Sequence, residues 1–163
     1  MYPDREFLLF IFHLIDTSLV VQSIYSSELT AGSHMYCRDR QGVSYYYEAI
    51  QVNVVTSGCY TLRSISTVNT YGYLYKHNFN PFNSSENLLS KDHHSGDDGQ
   101  FKLARYLENR TKYILVVTTY YENVRGKFSI FVSGSNNVSL NRFSEYMYCL
   151  LNNQHGHRKY RQL

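Results

Sequence analysis

From Tyr45 onward, apolar and polar residues alternate with a period of two. In YYYEAIQVNV, Ile50, Val52 and Val54 share one face, and Gln51 and Asn53 take the other. That is the spacing of a half-buried β-strand. Thr56-Ser57-Gly58 is a turn signal, and CYTLRSI follows with Tyr60 and Leu62 on one face. The pair reads as a hairpin. A third strand spans Thr70 to Tyr75, with Tyr71, Tyr73 and Tyr75 on one side and Gly72 and Leu74 on the other. Residues 76–99 are polar, rich in Asn, Ser and Asp, and carry Pro81 and two glycines, so they read as one long loop.

Strands resume at FKLARYL, which sends Phe101, Leu103 and Leu107 inward. After a turn at 108–112, YILVVTTYY is the most apolar segment and the candidate sheet centre. Asn123-Val124-Arg125-Gly126 turns the chain again, and KFSIFVSG aligns Phe128, Ile130 and Val132. Short strands with turn signals at this spacing predict an all-β fold, an antiparallel sandwich of 26–140. Two extensions flank it. Residues 141–163 end basic and read as a short helix and a loose tail. Residues 1–25 hold an apolar run from Phe7 to Ile15, broken at Asp16 and resumed at Leu19–Val21. This run is too short to span a membrane. Its length suits a signal-peptide core. Asp4, Glu6 and the lack of a small-x-small cleavage site before Ser23 suit an amphipathic helix, or a fragment of a longer protein, equally well.

Composition agrees with β. Aromatic residues make up 16% of the chain, with 17 tyrosines and no tryptophan, and such residues favour pleated, half-buried surfaces. The net charge of +3, with no basic stripe before the tail, gives no footprint for nucleic acid. There are three cysteines, Cys37, Cys59 and Cys149, in no zinc-type spacing. A Cys37–Cys59 bridge would close a short loop and contribute about 3 kcal/mol. Small buried hydrophobes are the alternative.

The ordered set YYYEAIQVNVVTSGCYTLRS, TYGYLY, NLLSKDHHSGDDGQFKLARYL, TKYILVVTTY and GKFSIFVSG resembles the bacterial pre-peptidase C-terminal domain family, over roughly residues 28–140. The resemblance implies a small jelly-roll-like β-sandwich, non-catalytic, of the kind found beside secreted peptidases. Some relatives bind matrix protein or carbohydrate, and some bind calcium. The family's loop runs Asn-Asp-Asp where this chain has Asp92-His93-His94, and the Asp pair comes later, at Asp97-Asp98. No catalytic residue transfers.

Several constellations invite chemistry. Asp92, Asp97 and Asp98, with Gly96 and Gly99 between and beside them, offer oxygens for calcium, or they simply hold a solvated turn. His93 and His94 would point to opposite sides of an extended stretch, and His155 and His157 lie in the tail. GxSxG, HExxH, the P-loop and GxGxxG are all missing from the sequence, and nothing local to Cys59 lowers a thiol pKa. The expectation is therefore no catalytic residue and no cofactor. Sequons stand at Asn83-Ser84-Ser85, Asn109-Arg110-Thr111 and Asn137-Val138-Ser139, all in turns or loops. Tyr71, Tyr73 and Tyr75 are either the face of a packed strand or a stacking platform. The expected function is a secreted or extracellular binding or adhesion module with a protein or carbohydrate ligand. The alternative is an accessory domain or fragment of a larger secreted hydrolase such as a peptidase.

Overall fold

The computed structural model describes residues 21–38 and 42–143. Ten strands run in chain order: β1 (Val21–Leu29), β2 (His34–Cys37), β3 (Ser44–Val54), β4 (Gly58–Ser66), β5 (Thr70–Lys76), β6 (Leu88–Asp92), β7 (Lys102–Leu107), β8 (Tyr113–Thr119), β9 (Gly126–Gly134) and β10 (Val138–Arg142). They form two antiparallel sheets. The smaller has the order β1-β9-β4-β7, and the larger β10-β3-β8-β5-β6, with β2 also paired to β3. β1 begins inside the segment read as an N-terminal extension, and β10 runs past residue 140. Cys149, His155, His157 and the rest of the tail lie outside the described residues, as does the Phe7–Ile15 run.

The period-two faces read from the sequence are the ones that pack. Ile50, Val52 and Val54 of β3 meet Tyr60 and Leu62 of β4, with Phe101, Leu103, Leu107, Phe128, Ile130 and Val132, in one core between the sheets. Burying each such side chain contributes about 1.5–3 kcal/mol, which offsets the cost of ordering the backbone. β8 is buried at all seven positions. The cause is its place at the middle of the larger sheet: Leu115 and Val117 face the sandwich interior, while Ile114 and Val116 face a second cluster outside it. A strand covered on both faces has no reason to alternate.

Three expectations need correction. First, β3 and β4 are no hairpin. β3 pairs with β2, β8 and β10, and β4 with β7 and β9, so the turn at 55–57 carries the chain across from one sheet to the other. Both strands present apolar inward faces, and facing each other buries both. Second, the 76–99 segment is not all loop. Its residues Leu88–Asp92 form edge strand β6, paired with β5 across a register shift at Leu74/Tyr75. A five-residue edge strand needs only one partner and one covered face, and its mixed LLSKD sequence shows little period. Third, Cys37 sits on β2 of the larger sheet and Cys59 on β4 of the smaller one, and no disulfide joins them. Nor are they small buried hydrophobes, because Cys59 is exposed and Cys37 half-buried.

Candidate functional site: an aromatic shelf

Tyr71, Tyr73 and Tyr75 do share the outer face of β5, but they are buried rather than half-wet. With Tyr36, Tyr47 and Phe79 of the following loop they make the second cluster, on the outside of the larger sheet. The rings touch in series. Tyr47 packs edge-on to Phe79 at 5.3 Å, Phe79 lies 4.9 Å from Tyr75, and Tyr75 is 6.5 Å from Tyr73. Tyr73 stacks on Tyr71 at 4.5 Å, and Tyr71 reaches His93 at 4.8 Å. His93 stacks on Tyr120 at 5.0 Å, and Tyr120 meets Tyr121 edge-on at 4.9 Å. Centroid spacings of 4.5–7 Å are those of favourable aromatic pairs.

The series ends at solvent. Tyr120 is 39% exposed and Tyr121 60% exposed, with Glu122 exposed beside them. Their backbone is held in place. Tyr120 N–H donates to Asn69 O at 2.8 Å, and Thr119 Oγ1 donates to Tyr121 O at 2.7 Å. Arg38 holds the rest. Its guanidinium lies 3.9 Å from the Tyr45 ring centroid and 4.8 Å from that of Tyr71. It also donates from Nη1 to Thr119 O at 2.8 Å and from Nη2 to Tyr120 O at 3.0 Å. A planar cation between two rings, with its fork on consecutive carbonyls, locks β2, β3, β5 and the end of β8 together. The outcome is a shelf of exposed rings on an ordered backbone, and such order reduces the entropy lost on binding.

Asp92 ties the 92–95 turn to the start of β7. Its carboxylate accepts from Lys102 N–H at 2.7 Å, from the Ser95 hydroxyl at 2.8 Å and N–H at 3.1 Å, and from His94 N–H at 3.5 Å. Burial pushes this carboxyl up, but those donors outweigh burial and hold it below the usual carboxylate range. A depressed folded pKa stabilises the fold above the unfolded value, near 3.9, and the contribution is lost as pH falls through the folded value. Wild type is therefore expected to lose stability to Asp92→Ala at neutral pH. The two melting curves should converge as pH drops below about 4. Parallel curves down to the acid limit would contradict this role.

Asp97 and Asp98 are exposed on a 3-10 turn at Asp97–Gly99. Among the described residues, no three His, Cys, Asp or Glu side chains gather in one place. His93 is half-buried in the ring series, while His94 is exposed with its ring 5.7 Å away.

A second concavity lies at the other end of the ring series. It is a cleft of about 350 Å³ lined by Tyr47, Phe79, Pro81 and Phe143, together with Glu48 and Arg142. Glu48 is buried. One carboxylate oxygen accepts from Tyr25 OH, and the other from Ser27 Oγ at 2.8 Å and Arg142 Nη2 at 2.5 Å. Burial raises the Tyr25 phenol pKa, its bond to Glu48 and that residue's charge raise it further, and Arg142 partly offsets them. The bond and charge of Glu48 likewise raise the Arg142 pKa. Tyr25 and Ser27 belong to the smaller sheet, Glu48 and Arg142 to the larger. That carboxylate takes all three of its donors from other strands. It works as a staple across one open side of the sandwich.

No protein-family model matches the chain, and no curated protein matches it. Among solved structures, one similar fold is the pre-peptidase C-terminal domain of collagenase from Bacillus anthracis. It is 14% identical, the match covers 69% of this chain and 89% of that chain, and the TM-score is 0.45. Another is PliG of Aeromonas hydrophila, a periplasmic lysozyme inhibitor of g-type lysozyme. It is 14% identical, the match covers 74% of this chain and 86% of that chain, and the TM-score is 0.44. The sandwich itself rests on the strand order and register given above. Among the described residues, no helix is long and apolar enough to cross a membrane.

Proposed function

We propose that this chain is a non-catalytic extracellular β-sandwich module that binds carbohydrate on the shelf formed by Tyr120 and Tyr121. The observation that carries the reading is the pair of exposed rings on a backbone pinned by Asn69, Thr119 and Arg38. A tyrosine presents an apolar face for the C–H side of a sugar ring and a hydroxyl that stays wet. Glu122, His94 and the half-buried His93 stand near enough in the chain and the ring series to meet sugar hydroxyls. Size favours a sugar over a protein. A fully buried aromatic covers about 150–250 Å², so two rings fall well short of the roughly 800 Å² each partner buries in a stable protein interface. Glu48 saturated by donors and His93 held among rings both support a module without catalysis.

The test is affinity electrophoresis of the full chain in gels containing soluble glucans, xylan, mannan or glycol chitin. Wild type should be retarded in at least one. Tyr121→Ala should weaken that retention by about tenfold or more, which corresponds to ~1.4 kcal/mol. Equal mobility of wild type in every gel would remove the carbohydrate reading.

A further inference from the structure

Three turns meet at the end of the sandwich away from the shelf. Asn136 Nδ2 donates to Thr56 Oγ1 at 3.0 Å, which joins the β9–β10 turn to the β3–β4 turn. Ser57 Oγ donates to Asn109 Oδ1 at 3.2 Å and accepts from Asn109 N–H at 2.9 Å, which joins the β7–β8 turn to the same place. Two of the three sequons, at Asn109 and Asn137, belong to this cluster, and both asparagines are exposed. Ser139 of the second is exposed as well. The Ser57 bonds engage Oδ1 and the backbone N–H of Asn109, not Nδ2. The third sequon differs. Asn83 is half-buried with its Oδ1 accepting from Ser85 Oγ at 2.9 Å, and the buried Ser84 gives its carbonyl to Tyr75 OH at 2.9 Å. That turn is packed against β5 and the second cluster.

We propose that Asn109 and Asn137 are N-glycan acceptors and Asn83 is not, so that this end of the sandwich carries two glycans and the shelf end stays bare. The donor class is a lipid-linked diphosphate oligosaccharide. The sugar C1–oxygen bond to the diphosphate breaks, and a C1–Nδ2 bond forms. Nδ2 gives up one proton, and the lipid diphosphate leaves. Nδ2 keeps its other hydrogen and Oδ1 is untouched, so the Ser57–Asn109 bond survives the modification. β8 runs from the glycan end at Tyr113 to the shelf end at Thr119, a separation of roughly 20 Å at ~3.4 Å per residue. Bulky, hydrated glycans at one end leave a single open end for ligand.

The proposal rests on the extracellular part of the proposed function, because the chain must meet the transferase. The full chain behind an added cleavable secretion signal, expressed in a eukaryotic secretory host, supplies that encounter in either case. Peptide-N-glycosidase should then shift the secreted protein by two steps. Asn109→Gln and Asn137→Gln should each remove one step, and Asn83→Gln none. Mass spectrometry of the treated wild type should find Asp in place of Asn at 109 and 137 only, a readout that needs no variant to fold. No shift, or conversion at Asn83, would overturn the acceptor assignment. The chain without the added signal tests the extracellular reading separately, since absence of glycan there alone would count against export and not against the acceptors.

Discussion

Phe101→Ala is expected to destabilise the sandwich by about 3–5 kcal/mol, a large part of the 5–15 kcal/mol that holds an ordinary domain. The ring is fully buried between the sheets. It lies directly on Gly72 of β5, where a Cβ would come within 2.6 Å of the ring. The glycine is there for close approach, since any side chain would occupy the space of the phenyl group. Phe101 also exchanges bonds with Ser64, accepting from its backbone N–H and donating to its Oγ, each at 3.1 Å. Gly72→Ala alone should cost about 1–3 kcal/mol by overpacking. The double variant should lose clearly less than the sum, because the new methyl enters the space the ring has left. Urea midpoints at constant m-value measure all three. Additive losses, or a Phe101→Ala cost below about 1 kcal/mol, would contradict the packing.

Arg142→Ala carries the second large effect. Removing one partner of a buried ion pair costs about 3–5 kcal/mol when both ions are buried. Here Glu48 is buried but the Arg142 side chain is 64% exposed, so water replaces part of what is lost. The expected cost is about 2 kcal/mol. Glu48→Gln in the Arg142→Ala background should recover much of it by removing the orphaned charge while keeping acceptor and shape. A cost within about 0.5 kcal/mol would reduce the pair to an ordinary surface contact. Tyr25 adds a pH signature. Its raised phenol pKa means that its contribution is complete below the ordinary value near 10 and is lost as pH rises through the folded value.

These two effects differ in how far the sequence announces them. Phe101 stands at an inward position in the FKLARYL alternation, and its burial follows from that period. Its partner Gly72 does not, because pairing across the sandwich leaves no trace in local spacing. Glu48 is a charge at an inward position of β3, in register with Ile50, Val52 and Val54. Such a residue announces a buried partner. Nothing in the chain says that the partners come from β1 and β10, 21 to 94 positions away.

The shelf is the least legible part. Tyr71 and the loop after β5 were marked by their aromatic and polar patterns. A lone arginine near a strand end gives no signal for Arg38, and Tyr120 and Tyr121 read as the end of the YILVVTTYY strand, whereas β8 stops at Thr119 and leaves both rings exposed.

Alternation of side chains is a local property of extended backbone, so the strands, their inward faces and the all-β class follow from the order of residues alone. Which strand lies beside which is set by long-range burial. Both faces of β8 are covered because β3 and β5 flank it and a layer of tyrosines closes over it. The turn at 55–57 crosses between sheets because that buries two apolar faces instead of one. The rings of β5, the 92–99 loop and the end of β8 become one surface only once these strands are in place.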